Sequence, residues 1–190
     1  MTISKRLEEA RKAYAKGDLQ GSALAHEQQA IARAAAEKHG GASSQYLGDM
    51  VYGGLDGIIT TFAVVSGVAG ANLGSNIILI LGLANLFADG FSMATGAYLS
   101  SKSDQEYYQR EREREAWEVE HFPDGERTEL YELYLEQGYP EEDAKKLIEI
   151  KTRNNELWID AMMVEELGML KDERKPMLSA LATLVSFVVA

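Results

Sequence analysis

The sequence predicts an all-α fold in which integral membrane helices carry an inserted, acidic helical domain on the cytoplasmic side. Two long apolar stretches, residues 50–71 and 76–100, are the first observation, because a helix needs roughly 20 mostly apolar residues to cross a bilayer. The second observation is the block 102–176, whose charged residues are predominantly acidic. The mean hydropathy of -0.22 averages over these unlike segments.

Charge and composition limit the classes of partner. The chain carries a net charge of -11 and no cysteine. Concentrated negative charge argues against nucleic-acid binding and favours cations as partners. The lack of cysteine excludes a disulfide framework, a thiolate metal site and a cysteine nucleophile. The first 20 residues lack the apolar region of a secretory signal, so the N-terminus is expected to begin in the cytosol.

The N-terminal segment, residues 1–45, is expected to be helical and then flexible. Its pattern predicts one or two amphipathic helices over residues 3–38, broken near Gly17, and a flexible link at 40–44. His26 and His39 have no second ligand at a suitable spacing, so both are interpreted as solvated surface residues.

The first predicted membrane helix, residues 50–71, contains a single charge, Asp56. An ionisable group inside a membrane costs about 2.5–3.5 kcal/mol on insertion scales, so such a group is by default functional. The alternative is a buried carboxylate that only fixes packing. The helix is also rich in small residues that allow another helix to approach closely, namely Gly53, Gly54, Gly57, Gly67 and Gly70.

The second predicted membrane helix, residues 76–100, contains polar groups that recur every fourth residue. Asn85, Asp89 and Met93 therefore lie on one stripe of the helix, and a polar stripe inside a membrane is typical of a transport pathway. The linker at 72–76 is short and uncharged, whereas basic residues flank the pair. Residues 46–101 are thus predicted to form a hairpin, with the N-terminus and residues 102–176 in the cytoplasm.

The acidic block is predicted to contain helices at 102–121, 126–137, 141–151 and 155–170. Proline and glycine interrupt the helical pattern at 122–125 and 138–140. Residues 177–190 then begin a third apolar run of 14 residues, about six short of a membrane span. The sequence is therefore expected to stop within a third membrane helix.

Acidic residues in this block recur at helical spacing. Glu111, Glu115 and Glu118 lie on one face of the first helix. Glu126 and Glu129 lie one turn apart, and Met162 neighbours Glu166. A solvated acidic face is one interpretation. The other is a cluster that binds a divalent cation, and methionine sulfur beside carboxylates favours iron(II) or manganese(II) over calcium or magnesium. His121 is interpreted as a surface or helix-capping residue.

Four motifs together resemble the vacuolar iron transporter family. They are GLDG at 54–57, ADGFSM at 88–93, GAYLSSKSD at 96–104 and WIDAMMVEELG at 158–168. The resemblance runs from about Tyr46 to the C-terminus and leaves residues 1–45 outside it. It implies a five-helix membrane fold that works as a homodimer and exchanges protons for iron(II) or similar ions, without an organic cofactor.

The resemblance also implies roles for individual residues. Asp56 and Met93 match pathway positions that bind metal and couple it to protons. A second set matches cytoplasmic metal ligands: Glu115, Glu118, Glu126, Glu129, Met162, Met163 and Glu166. Plant and protist members look to carry a glutamate where this chain has Asn85, while Asp89 supplies a carboxylate one turn later.

These observations lead to one main functional hypothesis and one alternative. The main hypothesis is transport of iron(II) or manganese(II) out of the cytosol by proton antiport, in a bacterial plasma membrane or, in a eukaryote, a vacuolar membrane. The alternative is a membrane-tethered protein that binds or senses divalent metals without transporting them. A di-iron enzyme would need a pair of Glu-x-x-His motifs, and the chain has no such pair, so it is not expected to be an enzyme.

Overall fold

The computed structural model describes residues 5–27 and 45–190, and within them every regular element is a helix. This confirms the predicted all-α class. The described residues up to Tyr98, together with Arg174–Ala190, form one compact unit, and Leu99–Glu173 form another. The four segment boundaries expected from the sequence stay predictions.

The part of the N-terminal segment that the structure describes, residues 5–27, contains two short helices, α1 (Lys5–Lys16) and α2 (Leu19–Ala25). They are separated at Gly17, whose φ of +65° is a left-handed conformation that favours glycine. The Asp18 carboxylate caps α2 by accepting a hydrogen bond from the Gly21 amide at 3.0 Å. The break near Gly17 is therefore confirmed. The remainder of the predicted helix, the link at 40–44 and His39 lie outside the described residues.

Among the described residues, two helices are long and apolar enough to cross a membrane, α3 (Leu47–Gly70) and α4 (Ser75–His121). Little of their apolar surface is covered: Phe62 is 72% exposed and Leu79 is 68% exposed. Such extended apolar surface is what lipid or another membrane helix covers. Helix α4 continues without interruption for 47 residues, so the predicted second membrane helix and the predicted charged helix are one element.

The last helix, α8 (Pro176–Val189), packs closely against α3. A side chain added at Gly53 would collide with the backbone carbonyl of Thr183, and one at Gly57 would lie 2.5 Å from the Phe187 carbonyl oxygen. By contrast, a side chain at Gly67 would have no atom within 4 Å. The predicted close approach is therefore made at Gly53 and Gly57.

Gly53→Ala is expected to destabilise the chain by about 2 kcal/mol, because the added methyl group meets backbone that can yield only by separating α3 from α8. Gly67→Ala on the same helix is the matched control and should be neutral or slightly stabilising, because alanine favours helix by about 0.8–1.0 kcal/mol over glycine. Thermal unfolding in detergent measures both variants. Equal midpoints for the two variants would contradict the packing described.

The second unit contains three helices that follow α4. They are α5 (Pro123–Glu136), α6 (Glu141–Lys151) and α7 (Asn155–Ala161). The predicted break at 122–125 is narrower than expected, because Pro123 occupies the first turn of α5, where its missing amide costs nothing. The core of this unit comprises buried residues from these elements: Val119, Leu130, Tyr134, Ala144, Trp158, Ile159, Met162 and Met163.

The predicted helix at 155–170 is corrected by the structure. Its α-helical part ends at Ala161, and a π-helical turn, Met162–Glu166, follows it. The Leu167 amide donates to the Met162 carbonyl five residues earlier, at 3.1 Å. Gly168 then takes a φ of +63°, a left-handed conformation common just after helix ends, so residues 167–170 do not continue the helix.

Candidate divalent cation site

Three glutamates from two helices meet in the second unit. Glu115 and Glu118 lie one turn apart near the end of α4, and Glu126 lies in the first turn of α5. One carboxylate oxygen from each lies within 4.8 Å of the others. The helices meet here because the chain turns at Phe122, where the Gly125 amide donates to the Phe122 carbonyl at 2.9 Å. The single-residue turn therefore assembles the cluster.

Two of these carboxylates are buried. Glu115 is 1% exposed and Glu126 is 4% exposed. The Oε2 atom of Glu126 has no hydrogen-bond partner among the described residues. An unpaired buried carboxylate oxygen is costly, and a bound cation would remove that cost. The site thus presents oxygen ligands of the kind that hard and borderline divalent ions take.

Burial and mutual repulsion shift the protonation of the cluster. Burial raises the pKa of Glu115 to about 7 and that of Glu126 to about 7. Loss of solvation, followed by repulsion from Glu129, raises the pKa of Glu166. The carboxylates that interact in this way are Glu115, Glu118, Glu126, Glu129 and Glu166. Five predicted ligands therefore share one electrostatic environment, which a divalent cation would stabilise.

The two methionines lie deeper. Met162 and Met163 begin the π-helical turn, are fully buried and belong to the core of the unit. Glu166 ends the same turn and is only partly enclosed, with more of its surface exposed than that of Glu115 or Glu126. Ligation by the methionine sulfurs stays a prediction.

Arg114 also belongs to this site, although the sequence did not predict it there. Its guanidinium donates to Glu115 Oε1 at 2.6 Å, to Glu118 Oε2 at 2.5 Å and to Glu111 Oε2 at 3.0 Å. The spacing of Arg114 from Glu118, four residues along one helix, is the signal that could have indicated it. The positively charged guanidinium of Arg114 thus already pairs with two of the three clustered glutamates.

The polar stripe of α4 faces the protein side of the helix. Asn85, Asp89 and Met93 are half-buried, whereas Phe87 and Phe91 are 60% and 59% exposed. This arrangement agrees with the one-face spacing expected from the sequence.

Asn85 lines a cavity of about 90 Å³ between α3, α4 and α8, together with Thr61 and Phe187. Within the part of the chain that the structure describes, the lining does not include Asp56, Asp89 or Met93. Asp56 is half-buried on α3, between the packed positions Gly53 and Gly57. The structure therefore brings the pathway candidates onto packed helix faces but does not gather all four around one cavity.

The metal-free chain is expected to lose stability as the pH rises from about 5 to about 8. Folded-state pKa values of about 7 for Glu115 and Glu126 exceed the usual 4.5, so between these values the folded state holds protons that the unfolded state has released. The stabilisation is complete below about pH 4.5 and is lost as the pH passes 7. Thermal unfolding midpoints in detergent measure it. The double variant E115Q/E126Q should show a flatter profile, and a wild-type midpoint that rises over this range would contradict the assignment.

The fold and the site together define an all-α membrane protein that carries a buried carboxylate cluster suited to a divalent cation. Comparison with known proteins agrees with this class. The sequence profile of the VIT family matches residues 47–190. The chain belongs to the VIT family.

Named relatives match most of the chain. It is 37% identical over 187 residues to a vacuolar iron transporter of Toxoplasma gondii, covering 95% of this chain and 62% of that protein. It is 36% identical over 191 residues to a vacuolar iron transporter of Plasmodium falciparum, covering 98% and 70%. Identity to vacuolar iron transporter 1 of Arabidopsis thaliana is 33% over 153 residues, covering 80% and 61%. These relatives are named as transporters, in agreement with the expectation that the chain is not an enzyme.

The extent of these matches bears on two points. The chain spans about three fifths of the length of the Toxoplasma gondii relative. The Plasmodium falciparum match covers 98% of the chain, so the similarity to that relative extends into residues 1–45. The family profile itself begins at residue 47, in agreement with a resemblance that runs from about Tyr46, so the similarity in residues 1–45 is to the individual relative.

Proposed function

We propose that this protein moves iron(II) or manganese(II) across a membrane, out of the cytosol, in exchange for protons. The observation that carries the proposal is the cluster of Glu115, Glu118 and Glu126, with an unpaired, buried oxygen on Glu126. Membership of the VIT family supports it, since relatives at 33–37% identity are named vacuolar iron transporters.

In this proposal the acidic domain lies in the cytoplasm and collects the ion. Carboxylates replace water ligands in stages, which lowers the cost of dehydrating the ion. Carboxylate oxygen with methionine sulfur suits iron(II) or manganese(II) better than calcium or magnesium, which bind oxygen alone. The proposed ligands are Glu115, Glu118, Glu126, Glu129, Met162, Met163 and Glu166.

The membrane helices then provide the pathway. Asp56, Asp89 and Met93 hold the ion, with Asn85 on the same stripe, and proton uptake by a carboxylate weakens the site and releases the ion. The proposal includes a homodimer in the bilayer with a cytoplasmic N-terminus. The membrane would be the plasma membrane in a bacterium or the vacuolar membrane in a eukaryote.

Uptake by sealed vesicles tests transport against the tethered metal-binding alternative. Vesicles holding the full-length protein, with the cytoplasmic face outward and an acidic lumen, should accumulate manganese(II) while the lumen becomes more alkaline. Vesicles without a pH gradient and protein-free vesicles are the controls. Metal binding to the protein without gradient-dependent accumulation would overturn transport and favour the tethered alternative.

A further inference from the structure

Arg114 makes a three-way ion pair at the edge of the carboxylate cluster. Its Nη2 and Nη1 atoms contact Glu115 and Glu118, two of the three glutamates that converge, while its Nε atom contacts Glu111. Arg114 therefore pairs with carboxylates of Glu115 and Glu118 that a divalent ion would also need as ligands.

The partial exposure of the Arg114 side chain allows its guanidinium to move away from the cluster into solvent. Its side chain is 45% exposed, whereas that of Glu115 is 1% exposed. A guanidinium this exposed can move into water at small cost, while the buried glutamate cannot. Glu111, with 24% of its side chain exposed, keeps one contact with the guanidinium when the other two are given up.

We infer that Arg114 is a built-in competitor of the ion, which pairs with Glu115 and Glu118 in the empty site and withdraws toward Glu111 and solvent when a divalent cation binds. This inference rests on the proposed function and concerns how tightly the cluster holds its ion. Competition of this kind weakens binding and speeds release, which suits a site that must pass the ion on. Arg114 is thus a residue that sets affinity without being a ligand.

The test compares two charge-neutralising variants on the same helix. R114Q is expected to tighten manganese(II) binding roughly tenfold and to slow release to a chelator by a similar factor, because the guanidinium no longer competes for the oxygens of Glu115 and Glu118. R110Q removes the same charge at an exposed position one helical turn before Arg114. It should therefore change manganese(II) affinity less than about twofold. Isothermal titration of the full chain in detergent measures affinity, and stopped-flow chelation measures release.

The outcomes separate this inference from the proposed function. If wild type binds manganese(II) but R114Q binds equally or more weakly, or if R110Q tightens binding as much as R114Q, the competitor role is wrong and the metal site stands. If neither wild type nor R114Q binds manganese(II), the proposed site itself fails.

Discussion

Asp56→Asn is expected to reduce gradient-driven manganese(II) uptake to less than about a tenth of the wild-type rate. Asparagine matches aspartate in size but can neither neutralise a divalent ion nor take up the proton that releases it, and a carboxylate in a membrane helix is retained at a cost. The position lies between two glycines that pack against α8, so a substitution of equal size keeps the packing. Uptake into vesicles is the measurement.

Manganese(II) binding by the acidic domain is the control measurement for the D56N variant. Manganese(II) binding by the acidic domain should stay at the wild-type level, because none of the ligands proposed there is altered. Uptake by D56N at the wild-type rate would remove Asp56 from the pathway. The variant D89N tests whether Asp89 supplies the carboxylate that Asn85 lacks. Uptake by D89N at the wild-type rate would show that it does not.

Glu126→Gln is expected to weaken manganese(II) binding at least about tenfold, since even partners outside the first ligand shell are worth about 10–100-fold in metal affinity. Glu126 is buried, and its Oε2 atom has no hydrogen-bond partner among the described residues. Glutamine therefore removes a buried carboxylate charge that a bound cation would neutralise. Stability should be unchanged or higher without metal, because the substitution removes repulsion with Glu115 and Glu129.

The matched control is Glu132→Gln, an exposed position on the same helix α5. It removes the same charge without altering the cluster and should change affinity less than about twofold. Isothermal titration of both variants measures the difference. An equal loss in E126Q and E132Q would mean that the domain attracts ions only by its overall charge.

Periodicity predicted much of this architecture. Length and apolarity identified α3 and the first part of α4, because a membrane span needs a minimum run of apolar residues. Spacing of four placed Asn85, Asp89 and Met93 on one face, and they are half-buried together. Along α4, helical spacing also aligned Glu115 with Glu118.

The remaining features depend on tertiary contacts that spacing cannot encode. The meeting of Glu126 with α4 depends on a turn of one residue at Phe122, whereas the sequence suggested a longer break. The π-helical turn at Met162–Glu166 has no distinctive sequence pattern, since one inserted residue changes the hydrogen bonding without changing composition. The choice of carboxylates with which the Arg114 guanidinium pairs depends on how the neighbouring glutamates are buried in the folded unit.

X-ray absorption at the manganese edge, recorded on the chain with one equivalent of manganese(II), tests the metal site most directly. Carboxylate oxygens are expected in the first coordination shell of the wild-type chain, and the triple variant E115Q/E118Q/E126Q is expected to lose them. A sulfur contribution would support ligation by Met162 or Met163. A wild-type spectrum identical to that of fully hydrated manganese(II) would contradict the site.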